Sequence, residues 1–96
     1  MKVNFLGTEC TVEFQEYAKG GVAIQLWSEE DGPMGKATIC LPDYPLKENQ
    51  VIIKDYAENT GMLKALVDAG VVKDTGDVAP SGYIVGNVCD LLVKPE

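Results

Sequence analysis

The 96-residue chain contains no arginine and no histidine; its eight basic residues are all lysine. Without histidine, no Ser-His-Asp triad, Cys-His pair or His metal ligand can form within the chain. Without arginine there is no planar fork for phosphate or guanine. Fifteen Asp and Glu give a formal net charge of -7. That field repels a phosphate backbone and argues against direct nucleic-acid binding. It suits a basic protein surface, and it also keeps a small protein soluble.

Cysteine is scarce and scattered. Cys10, Cys40 and Cys89 form no C-x-x-C pair, and an odd count does not complete a disulfide framework. Each sits in an apolar, strand-like context, which predicts buried, reduced thiols rather than a thiolate metal site. The glycines form neither G-x-G-x-x-G nor a P-loop, so no cofactor is expected. No run approaches the ~20 apolar residues of a membrane span. The segment Met1–Leu6 has no apolar core of a signal peptide. Together these features predict a soluble, cytoplasmic protein with no membrane association.

What is present is β pattern around one helix. A chain of this length holds one domain, residues 1–96. Lys2–Leu6 reads as a short strand, followed by a turn at Gly7-Thr8. Glu9–Tyr17 alternates, with Cys10, Val12 and Phe14 on one face and Glu9, Thr11, Glu13 and Gln15 on the other. Glu16 breaks the parity, so the strand should end, bulge or reach the sheet rim there. Ala18–Gly21 is a hairpin turn. Val22–Ser28 places Val22, Ile24 and Leu26 inward and Trp27 on the more polar face. Glu29–Gly35 reads as a loop, and Lys36–Leu41 as a fourth strand with Ala37, Ile39 and Leu41 apolar. Pro42–Asn49 is a loop.

Val51–Ile53 is a short β run leading to the helix, predicted over about 60–69. Asn59 is preferred as its N-cap over an earlier start at Asp55, because Gly61 would weaken the longer helix. Met62, Leu63, Leu66, Val67 and Gly70 fit the spacing of one buried face, and Gly70 should end the helix in the left-handed conformation. Lys73–Asp77 and Ala79–Gly82 read as turns. Tyr83–Val85 and Asn87–Val93 read as strands. The expected fold is α+β: a mainly antiparallel curved sheet of five to seven strands with the helix on one face. The first four strands should form a meander, with Leu63, Leu66 and Val67 packed against Val12, Phe14, Ile24 and Ile39.

The segments Lys54–Asn59, Leu66–Val71, Asp74–Gly76 and Ser81–Tyr83, in that order, resemble an uncharacterised family of small acidic proteins. Members of that family occur in bacteria and on phages, plasmids and other mobile elements. The resemblance covers roughly the second half of the chain. It implies a mobile-element accessory protein and supplies no active site.

Three functions are open to such a chain. The first is a non-enzymatic binding module, for example an inhibitor of a host nucleic-acid-handling or defence protein. Its contact residues would be Glu9, Glu13, Glu29, Glu30 and Asp31, with Trp27 as an aromatic anchor. The second is a small enzyme or ligand-binding domain built on Asp55, Tyr56, Glu58 and Asp90, which requires a cleft holding at least two of them. Tyr17, Tyr44, Tyr56 and Tyr83 could add a polar-tipped aromatic patch to it. The third is a self-associating module. The last strand is apolar on both faces, which predicts a homodimer burying Trp27, Val88 and Leu92. The alternative is a monomer whose loops at 42–49 and 73–82 cover that surface.

Overall fold

A computed structural model describes residues 1–82 and 84–95. Tyr83, expected to open a short strand and to join the tyrosine patch, lies outside them. The architecture is α+β, with two antiparallel sheets rather than one. Strands β1 (Lys2–Phe5), β2 (Thr8–Glu16), β3 (Val22–Ser28) and β4 (Gly32–Lys36) form a meander in that order. Strands β5 (Gln50–Ile53), β6 (Val72–Ser81) and β7 (Ile84–Leu91) form the second sheet, with β7 central.

The alternation along β2 sets the first sheet. Cys10 and Val12 are buried, whereas Glu9 and Glu13 are exposed. The β1–β2 connection is Leu6-Gly7, both at positive φ (52° and 80°). Two positive-φ residues suit the right-handed twist of a tight hairpin. The turn therefore falls one residue earlier than Gly7-Thr8.

The fourth strand is shifted from its expected place. Gly32–Lys36, read as mostly loop, is β4, an edge strand beside β3 with a register shift at Leu26/Trp27. An edge tolerates Pro33 because its missing N–H removes no internal ladder bond. The apolar residues after Lys36 do not continue that strand. Ala37 N donates to Ile24 O (2.7 Å), Lys54 N to Ala37 O (2.8 Å) and Ile39 N to Ile52 O (3.0 Å). This short segment stitches the two sheets together. It also crosses between two cores: Ala37 packs into the main cluster, and Ile39 and Leu41 into a second one.

The main core lies between the inner faces of the sheets. It joins Val3, Phe5, Ile24 and Leu26 to Val51, Ile53, Val72 and Cys89. The helix α1 (Met62–Asp68) closes it against β1 and β6. It buries Met62 and Leu66 completely, whereas Val67 is 40% exposed. Within the expected face, Met62 and Leu66 thus form the buried stripe, and Val67 falls outside it. Positions four apart stack on one side, and a seven-residue helix presents only that narrow stripe. Ile39 is not among its core partners.

The helix also starts later than expected. Gly61 is the N-cap residue at φ 96°. The capping oxygen comes from Asp55, whose Oδ1 accepts from Gly61 N (3.1 Å) and Leu63 N (2.9 Å). Asn59 instead ends a 3₁₀ turn (Ala57–Asn59), is buried, and donates Nδ2–H to Lys36 O (2.8 Å). The C-terminus follows expectation. Gly70 adopts φ 75°, Gly70 N donates to Val67 O and Val71 N to Leu66 O, which is a Schellman closure.

Residues 73–82, read as two turns, lie in or beside β6. Their turn chemistry is spent on a bulge between Asp74 and Val78. There Thr75 Oγ1 donates to Val88 O (2.7 Å), Asp74 Oδ1 accepts from Gly76 N, and Thr75 Oγ1 accepts from Asp77 N.

The outer face of the second sheet carries the second core, Ile52, Ala79 and Val88 beneath Ile39, Leu41, Tyr44 and Leu46. Around Val88 and Cys89, both faces of β7 are therefore covered by the chain itself. Val88 is only 2% exposed, so it is not available to the predicted dimer surface. Among the described residues, no helix is long and apolar enough to cross a membrane.

Candidate functional site

The first sheet turns a polar face away from the core. Register places Thr11 opposite both Lys2 and Trp27, Glu9 opposite Asn4, and Glu13 opposite Gln25. Directly opposed residues share a face, and so do residues two apart along a strand. Glu9, Thr11, Glu13, Lys2 and Trp27 thus stand on one surface. Trp27 is 45% exposed there.

The β3–β4 turn brings more carboxylates to one end of this face. Ser28 is buried, and its Oγ accepts from Glu30 N and Asp31 N, both at 3.2 Å. A hydroxyl that satisfies two turn amides fixes a short loop without help from the core. Glu29, Glu30 and Asp31 are exposed on that loop. With Glu9 they line a cleft of about 300 Å³ that also includes Lys2, Thr8, Thr11 and Ser28. Four of the five candidate carboxylates therefore meet in one place. Glu13 and Trp27 stand on the adjoining sheet surface. Glu13 accepts a hydrogen bond from Gln15 Nε2 at 3.2 Å.

Lys2 is the cation of this cleft, and nothing in the sequence pattern singled it out. Its Nζ donates to Thr11 Oγ1 (3.0 Å) and lies 3.9 Å from Glu9 Oε1. Both partners are well exposed, so the pair is held loosely and an incoming cation can displace it. Among the described residues, no group of carboxylates and thiols is arranged to hold a metal ion. What the cleft offers is a row of solvated acceptors for ammonium or guanidinium groups. Each exposed pair is weak, about 0–1 kcal/mol, so such a surface acts through several contacts and through long-range steering.

The carboxylates of the enzymatic alternative are not gathered. Asp55 caps α1. Glu58 pairs with Lys54, whose hydrogen bond and charge hold its carboxyl below the usual range, opposite to a buried general acid. Asp90 Oδ1 accepts from Gln50 Nε2 at 3.0 Å. Lys54 also lies over the Tyr56 ring, 5.4 Å from its centroid. Among the described residues, the clefts around Tyr17, Lys2, Phe14, Pro80 and Leu92 include none of Asp55, Tyr56, Glu58 and Asp90. Tyr17 and Tyr44 line a different cleft together.

Of the three expected dimer residues, Trp27 and Leu92 are exposed and Val88 is buried. Trp27 lies on the outward face of the first sheet. Val88 lies beneath the second core. Leu92, 55% exposed, follows the end of β7. The three thiols are free, as Cys10 and Cys89 in the main core and Cys40 half-buried.

No family model, curated protein or solved structure matches this chain.

Proposed function

We propose that this protein is a non-enzymatic docking module whose acidic cleft engages a basic protein surface. The observation that carries this reading is the convergence of Glu9, from the start of β2, with Glu29, Glu30 and Asp31, from the β3–β4 turn. Glu9 and Glu13 extend the array by about 13 Å along the strand, at about 3.3 Å per residue. Trp27 beside it supplies an apolar contact of the kind that anchors interfaces. A row of carboxylates imitates a phosphate array, so the basic groove of a nucleic-acid-handling or defence protein is the partner of this chemistry. The resemblance to mobile-element proteins supports an accessory role for the module, and inhibition of that partner is the role proposed for it.

A pull-down from host cytosol, eluted by a salt gradient, tests this. The wild-type chain should retain a basic protein that elutes progressively as salt rises. Replacing Glu9, Glu29 and Glu30 by Gln and Asp31 by Asn should abolish retention while leaving the fold intact by circular dichroism. Retention that ignores salt, or that survives the fourfold substitution, would refute it.

A further inference from the structure

The far end of the β2–β3 hairpin carries a second cleft of different character. It has a volume of about 390 Å³ and lies between the hairpin turn and residues 39–52. That volume falls in the range of small-molecule sites, about 300–1,000 Å³. Val22, Ile39, Leu41 and Leu46 give it apolar walls, and Tyr17 and Tyr44 add aromatic rings with polar tips. The Tyr17 hydroxyl is fixed by a 2.8 Å hydrogen bond to Thr38 Oγ1, which itself accepts from Ile24 N (3.2 Å). One wall of the cleft is thereby built into the sheet rather than left on a loop.

Its charge is the reverse of the rest of the molecule. Lys19 and Lys47 both line it, against one carboxylate, Glu48. Among the described residues, neither lysine is in an ion pair; the paired lysines are Lys2, Lys54 and Lys64. A chain of net charge -7 thus places two lysines without ion pairs along a cleft that has apolar walls and polar groups in near-equal measure. A ligand matching both features has an apolar body and one anionic head.

We infer that this cleft binds a small apolar monocarboxylate, its body between Tyr17, Tyr44 and the aliphatic walls and its head at Lys19 and Lys47. This site is independent of the acidic cleft and of the docking role proposed for it.

The test is a titration of the ¹⁵N-labelled full chain with 4-phenylbutyrate, 4-phenylbutanol and 4-phenylbutylamine, followed by amide shifts. The three share one body and differ in head charge. The carboxylate should cause saturable shifts at Gly20, Gly21 and Gln50, and bind about tenfold more tightly than the alcohol, as one charge-assisted contact allows. The amine should not saturate. Lys19→Gln with Lys47→Gln should bring the carboxylate down to the level of the alcohol, and Glu48→Gln should tighten it. These three side chains are exposed, so the variants keep the fold, and their amide dispersion verifies this. Absence of saturable shifts up to about 10 mM carboxylate, at the weak end of measurable affinity, overturns the inference. So does amine binding as tight as carboxylate binding, or an unchanged carboxylate affinity in the double-lysine variant.

Discussion

Replacing Gly86 by Ala tests the packing of the second core most directly. Gly86 is not among the positive-φ glycines, so its backbone would accept a side chain. On backbone grounds alone, Gly→Ala stabilises by about 0.4–1 kcal/mol, through the unfolded chain. Space decides otherwise. A Cβ built at Gly86 lies 2.3 Å from Ile52 Cγ2 and 3.0 Å from Ile39 Cδ1. Carbon atoms pack best at about 3.5–4.0 Å, so Ile52 would have to withdraw by more than about 1 Å. Ile52 is 1% exposed, and its β-branch leaves few rotamers. Overpacking of this kind costs about 1–3 kcal/mol, which exceeds the backbone gain. For a chain of this size that lowers the melting temperature by about 4–8 °C per kcal/mol. Ile52→Ala alone should cost about 2–5 kcal/mol. The two together should cost less than their sum by about 1 kcal/mol or more, because the new methyl enters the space that Cγ2 leaves. Urea denaturation of the four proteins measures the cycle. A Gly86→Ala variant as stable as the wild type, or strict additivity, would refute the packing of β7 against Ile52.

Leu66→Ala should destabilise by about 2–5 kcal/mol, and Val67→Ala by less than about 0.5 kcal/mol, in the same denaturation assay; equal effects would contradict the helix orientation. Native protein should show one rapidly reacting thiol with Ellman's reagent, Cys40, and three after unfolding, since Cys10 and Cys89 are buried. Burial, with Asp74, Asp90 and Asp55 nearby, pushes the Cys89 thiol up to about 12. The folded state therefore favours the neutral thiol: its contribution is complete below the unfolded value of about 9 and is lost as pH rises toward 12. Stability measured by urea denaturation should fall over that interval, and Cys89→Ala should flatten the fall; a variant with the wild-type slope would exclude Cys89 as its source.

The local features of the chain were legible wherever one residue pattern had one meaning. The alternation of β2, its end at Glu16 and the left-handed stop at Gly70 belong to this group. Misreadings arose where the same residues serve two structures. Thr75-Gly76-Asp77 is turn chemistry, and a bulge in a long strand uses the same bonds. Ala37, Ile39 and Leu41 alternate like a strand, yet the chain crosses between two cores after Ala37. Val88 and Leu92 looked alike as apolar residues on one face. Only the fold of residues 39–46 distinguishes them, by covering the first and leaving the second exposed. The acidic site was half legible. Glu29–Asp31 is visible as a charge run, but Glu9 joins it only through strand register, and Lys2 enters through the same register. Nothing local announces that Tyr17 and Tyr44, 27 positions apart in the chain, share a cleft with two lysines.

The two candidate sites sit at opposite ends of one hairpin, and this makes them separable. Glu9 and Glu29–Asp31 flank the start of β2 and the end of β3, whereas Tyr17, Lys19 and Val22 flank the other ends. Eight steps along β2 and just past its end separate Glu9 from Tyr17, about 26 Å at about 3.3 Å per residue. The Debye length at physiological salt is about 8 Å, so exposed charges at one end contribute little at the other. Neutralising the four carboxylates should therefore abolish docking to a basic surface and leave phenylbutyrate affinity within about twofold at 0.15 M salt. The same variant at about 0.01 M salt, where the Debye length is about 30 Å, should bind phenylbutyrate more tightly than the wild type, because a repulsive field reaching across the hairpin has been removed. An affinity that changes equally at both salt concentrations would mean that the two ends communicate through the strands rather than through the solvent, and the hairpin would then be a coupling element instead of a rigid spacer.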